Sequence, residues 1–113
     1  MNLPGADRAF VDPGKLRDYL LSFAHKAGQS KAGAFAAAGY SALNWQRLAD
    51  QLRMLASSGA ARPAGDVGYG PKYLVDGILR TPAGKSLRVR TVWIVRHGED
   101  FPRLVTAYPG RRL

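Results

Sequence analysis

The chain predicts an α+β fold, with two to three N-terminal helices packed on a three- to four-stranded antiparallel β-meander. Three observations predict it. Apolar residues recur at helical spacing up to about residue 57. Beyond residue 66 the period changes to two and holds to Pro109. No internal repeat, heptad array or linker divides the 113 residues, so they read as one domain. Within it, 1–11 is an arm, 12–57 the helical part and 66–109 the sheet.

The arm, MNLPGADRAFV, reads as extended or loosely held. VDPGKLRDYLLSF opens the first helix, with Asp12 as N-cap and Pro13 at the first helical position. Leu16, Tyr19, Leu20 and Phe23 form one apolar face. AHKAGQS is a break centred on Gly28. An Ala-rich second helix runs from about Gln29 to Ala38 and stops at Gly39. Ser41 caps a third helix over 42–57, which turns Leu43, Trp45, Leu48, Leu52 and Leu55 to the core. SSGAARPAGD is a loop of small residues.

In the second half, DVGYGPKYLVDGIL suggests one or two short strands broken by glycines. TPAG is a tight turn, KSLRVRTVWIV the longest strand, RHGEDF a second turn and PRLVTAYP the last strand. Alternation puts Leu87, Val89, Thr91, Trp93 and Val95 on one side of the long strand. Arg88, Arg90, Val92 and Ile94 lie on the other. In the last strand Leu104, Thr106 and Tyr108 share a side, opposite Arg103, Val105 and Ala107. The sequence leaves open whether the Arg90 side or the Thr91 side is the active face.

Charge narrows the function. Seventeen Lys+Arg against eight Asp+Glu give a formal charge of +9 and a pI near 10.5. Such a surface attracts polyanions: nucleic acid first, an acidic protein second. An anionic membrane surface comes third, but no stretch has the length of a spanning helix, so no membrane partner is expected. With no Cys, disulfides, thiolate zinc sites and a Cys nucleophile are excluded. One Glu and scattered Asp residues argue against a two-metal nuclease, and two His without Cys argue against catalytic zinc. No metal or cofactor is expected. MNLPGADRAF shows no charged n-region followed by an apolar run, so a cytoplasmic site of action is the default expectation.

A nuclease without a metal needs a proton acceptor, a proton donor, and cations or hydrogen-bond donors around the developing phosphorane charge. His, Lys, Arg, Thr and Tyr meet those needs. His25 lies in HKAGQSK, a break leading into a helix start, with Lys26 and Lys31 close by in sequence. Each has an ordinary reading beside the functional one. His25 fits a helix-end cap and His97 a solvated turn residue. Lys31 fits a solvated helix charge. Arg88 and Arg90 fit exposed strand positions that discourage edge pairing. Thr106 and Tyr108 are good strand formers, and Trp45 and Trp93 fit the core. The shared feature is a basic C-terminal part, with eight Lys/Arg over residues 80–113 against Glu99 and Asp100.

His25, Gly28, Lys31 and Ala32, as H-x-x-G-x-x-K-A, are followed by VRTVWIV (89–95) and PRLVTAYP (102–109). This set resembles a family of small uncharacterised bacterial toxin-type domains, found beside a small partner gene or at the end of larger toxins. Members usually have Pro after the His, where this chain has Lys26, and an aromatic pair where it has GAF. At fold level the pattern resembles the barnase–EndoU–colicin–RelE group of metal-independent ribonucleases. That resemblance implies His25 and Lys31 facing Arg90, Thr106 and Tyr108 as a catalytic set. Lys26, Arg88, Thr91 and Arg103 would then bind substrate. It implies cleavage of RNA, with tRNA one candidate, by attack of the 2′-OH, and an acidic antitoxin or immunity protein as inhibitor. Two other readings stay open: a non-enzymatic basic module that binds nucleic acid or an acidic protein, and a structural protein that pairs through its sheet edge.

Overall fold

The structure, a computed structural model, describes residues 1–22 and 29–110. Among these residues three helices precede a four-stranded antiparallel sheet of order β1-β2-β3-β4, an α+β fold. Helix α1 starts where Asp12 accepts the Gly14 N–H at 2.9 Å and Pro13 takes the first helical position. Its α-turn (Pro13–Lys15) widens into a π-helical stretch (Leu16–Leu20), where the Leu21 N–H reaches back to the Leu16 carbonyl at 2.8 Å. Leu16 and Leu20 are fully buried, and Tyr19 in the same stretch is half-buried.

Helix α2 (Gln29–Ala37) stops at Gly39, whose φ of +94° few side chains tolerate. A reciprocal cap follows. The Ser41 hydroxyl accepts the Leu43 N–H, and the Asn44 side chain accepts the Ser41 N–H at 2.7 Å. A 3₁₀ turn (Ala42–Asn44) then leads into α3 (Trp45–Ser58). Leu48, Leu52 and Leu55 are buried as predicted. Leu43 is not: it is 95% exposed. It sits in the tighter capping turn, so 3.6-residue spacing does not carry it onto the α3 stripe.

The run read as a loop contains a strand. β1 (Ala61–Asp66) pairs with β2 (Pro71–Arg80), Ala61 opposite Val75. Its small residues and Pro63 give no strand signal of their own, and hydrogen bonds from β2 place it. β2 is one continuous strand through Gly77. A Cβ there would lie 2.7 Å from Leu55 Cδ1, so this glycine lets α3 press onto the sheet. β3 (Ser86–Ile94) and β4 (Arg103–Pro109) complete the meander. The arm is packed rather than loose: Leu3, Ala9 and Val11 are buried, and Phe10 bridges to Arg103.

Val89, Thr91 and Trp93 are fully buried, in one core with Leu48, Leu52 and Val75. The Thr91 side of β3 is therefore the inner face. Arg88 and Arg90 lie on the outer face, which α2 meets at β4.

Candidate functional site

The outer face owes its polar groups to a slip in strand register. β3 and β4 pair regularly from Val89 opposite Pro109 to Val92 opposite Thr106. The next pair is Trp93 with Leu104, so Val105 and Thr106 together oppose Val92. This β-bulge lets Leu104 and Ala107 both face the core, at 4% and 0% exposure, although they are three residues apart. Simple alternation put Leu104 on the side of Thr106 and Tyr108, and the bulge overturns that reading. Thr106 and Tyr108 share the outer face with Val92 and Arg90.

Lys31, in the first turn of α2, reaches this face. Its Nζ donates to Thr106 Oγ1 at 3.0 Å and to Tyr19 Oη at 3.0 Å. It also lies 4.7 Å from the centre of the Tyr108 ring and 4.9 Å from that of Tyr19. Three elements far apart in sequence thus meet at one ammonium: the π-helical stretch, α2 and the bulged strand. Among the described residues no carboxylate pairs with it. A half-buried cation held by two hydroxyls and two ring faces, with no paired carboxylate among the described residues, is positioned to meet an outside anion.

Arg90 stands directly opposite Tyr108 in the ladder. Its guanidinium is turned to β2, where it grips Asp76 through two bonds of 2.8 and 3.0 Å. Arg62 on β1 adds a third contact to that carboxylate at 3.3 Å. The hydrogen bonds from Arg90 hold the Asp76 carboxyl below its ordinary value, against a smaller opposing push from burial. Two cations share one carboxylate, so this triad carries a net charge of about +1, and among the described residues Arg90 keeps donors unused. Arg88 is exposed two residues further along the same face.

The structure therefore brings Lys31, Thr106 and Tyr108 into contact and puts Arg90 beside Tyr108. His25 and Lys26 lie outside the described residues. Thr91, assigned to substrate binding in the sequence reading, is fully buried and does not reach the outer face. Its hydroxyl donates to the Val75 carbonyl and accepts the Trp93 indole N–H, both at 2.7 Å. Arg103 lies at the far end of β4, in a two-bond pair with Glu99, 2.8 Å each. His97 is exposed in the β3–β4 turn. Two members of the site escaped the sequence reading. Tyr19 was taken only as part of an apolar helix face, although a Tyr among leucines signals a hydroxyl in need of a polar partner. Asp76 is invisible until strand register sets it opposite Arg90. Among the described residues no three His, Asp or Glu side chains converge as metal ligands.

Residues 2–111 match the model of a family described as a domain of unknown function, DUF6883. No curated protein matches the chain. Among solved structures it is similar to a chain of the contact-dependent growth inhibition toxin–immunity protein complex from Klebsiella pneumoniae 342. That likeness covers 95% of this chain and 97% of the other at 20% identity, with a TM-score of 0.73. At this identity the likeness is one of fold.

Proposed function

The chain belongs to the DUF6883 family, and from its site and its fold we propose that it is a toxin domain that cleaves RNA without a metal and is held in check by an immunity protein. One observation carries the reading: the half-buried Lys31 ammonium has two hydroxyls and two aromatic rings around it and, among the described residues, no paired carboxylate. Such a site suits a phosphodiester whose charge grows during reaction. The fold shared with a chain of a toxin–immunity complex, together with the +9 charge, supports the biological role.

In the proposed reaction the ribose 2′-oxygen attacks phosphorus as its proton passes to a base. The 5′-oxygen leaves with a proton from an acid, giving a 2′,3′-cyclic phosphate and a 5′-OH. His25, four residues before the start of α2 in sequence, is proposed for proton transfer. Lys31 stabilises the developing charge, and Thr106, Tyr19 and Tyr108 supply hydroxyl donors or a proton relay. Arg90 and Arg88 hold the strand along the open face. An acidic immunity protein covers the same cations.

A binding-only module is the second reading. The two hydrogen bonds of Lys31 favour it, because they also fit a structural pin between α2 and β4. Incubating the protein with total bacterial RNA and tRNA in EDTA tests both. Discrete fragments ending in cyclic phosphate, lost in His25→Ala and cut about 10²–10³-fold in rate by Lys31→Met, support the nuclease. Intact RNA at high protein concentration supports the module.

A further inference from the structure

A second basic feature lies on the same sheet face, toward the opposite end of the strands. A cleft of about 810 Å³ opens between the arm, the β1–β2 loop and the β3–β4 turn. Phe10, Tyr69, Lys72, Arg96, His97 and Arg103 line it. Lys15 adds a cation on the α1 side and is tied to the strand edge, its Nζ donating to the Val105 carbonyl at 2.9 Å. The one carboxylate in the lining is Asp12, which is occupied in capping α1.

The parts of the cleft differ in what they can still bind. Arg103 is fixed: Glu99 holds its fork, and its guanidinium lies 5.0 and 5.1 Å from the ring centres of Phe10 and Phe101. Lys72 and Arg96 form no ion pair among the described residues. Tyr69 is 72% exposed, and its carbonyl accepts the His97 N–H at 2.9 Å, which ties the two loops together. Uncommitted cations beside exposed flat rings suit single-stranded nucleic acid, because phosphates meet the cations and bases stack on the rings. The volume falls in the range of sites that enclose a small-molecule moiety rather than a flat protein patch. The cleft also adjoins the Lys31 site: Val105 lines it, and the next residue, Thr106, holds the ammonium.

We propose that this cleft is a nucleotide subsite, taking a phosphate and its flanking base from the RNA strand that crosses Lys31. Its role as a substrate subsite rests on the ribonuclease reading. Its ability to bind a single strand does not. The bulge serves both sites, since it puts Val105 and Thr106 together on the outer face and joins the cleft to the ammonium.

The test uses a fluorescent 2′-O-methyl oligonucleotide of about six nucleotides, which has no free 2′-OH and cannot be cut. Binding is followed by anisotropy across a salt series. The Lys72→Gln/Arg96→Gln protein should bind about tenfold or more weakly, with a salt slope shallower by about 1.4. Tyr69→Ala should weaken binding with the slope unchanged. The charge-matched control, Arg47→Gln/Arg53→Gln on α3, should lose no more than about threefold. Equal affinity of the cleft and control proteins overturns the proposal, as does a wild-type protein that ignores the oligonucleotide and binds only an acidic protein. Cleft-dependent binding without RNA cleavage sinks the ribonuclease reading and leaves the subsite standing. Cleavage with cleft-independent binding does the reverse.

Discussion

Replacing Lys31 with methionine separates a structural pin from a charge kept for a substrate. The lysine makes two hydrogen bonds of 3.0 Å, each with a net value of about 1 kcal/mol. Its two ring contacts add about 0.5–1 kcal/mol each. These gains total about 3–4 kcal/mol in favour of lysine. Against them stands the cost of holding an ammonium partly out of water with no paired carboxylate among the described residues, on the order of several kcal/mol. Methionine keeps most of the aliphatic stem and its packing, and removes that cost. The opposing sums cancel to about 1 kcal/mol, so the melting temperature of Lys31→Met should stay within about 4–8 °C of wild type. The same substitution should lower RNA cleavage about 10²–10³-fold. Thermal or urea unfolding read beside cleavage of tRNA gives both numbers. Destabilisation above about 2 kcal/mol with cleavage unchanged would show that Lys31 is a pin and would refute the assignment.

Further predictions concern the frame around the site. Gly77→Ala drives a Cβ into Leu55 and should cost about 1–3 kcal/mol, read as a lower urea midpoint. Thr91→Val leaves the fully buried Trp93 indole N–H without its acceptor and should cost about 1–3 kcal/mol, with a shift in tryptophan emission. Leu43→Glu should change stability by no more than about 0.5 kcal/mol, since that side chain is 95% exposed. If it unfolds the protein, the placement of the capping turn is wrong. For Asp76, whose folded carboxyl titrates below the ordinary value of about 3.9, the stabilising contribution is complete above that value. It is lost as pH falls through the lower folded value. The stability gap between wild type and Asp76→Asn should therefore be widest near neutral pH and close in acid below about pH 4. A gap that does not begin to narrow as the pH falls below about 4 would show that the Arg90 pairing is not its source.

What the sequence determined by itself was whatever depends on near neighbours. Asp12–Pro13 starts a helix and Ser41 caps one because the groups that satisfy each N–H lie two or three residues away. The alternation in SLRVRTVWI marks inner and outer residues because the strand period is two. The basic charge and the missing cysteines narrowed the partners and chemistry to be expected without any structure. Tertiary structure decided what depends on distant partners. β1 forms because β2 offers its backbone, and Leu43 escapes the core because a 3₁₀ turn rephases the helix. The choice of outer face followed from which side α3 covers. Lys31, Thr106 and Tyr108 stood out as residue types in the sequence, but Lys31 is separated from Tyr19 by 12 residues and from Thr106 by 75. A one-residue slip between β3 and β4 sets where Thr106 points, and no local propensity records it. The cleft is less legible still, since the arm, α1, two loops and three strands form it together. Lys72, Tyr69, Arg96 and His97 each read alone as solvated surface residues, and only the pairing of the strands brings them to one place.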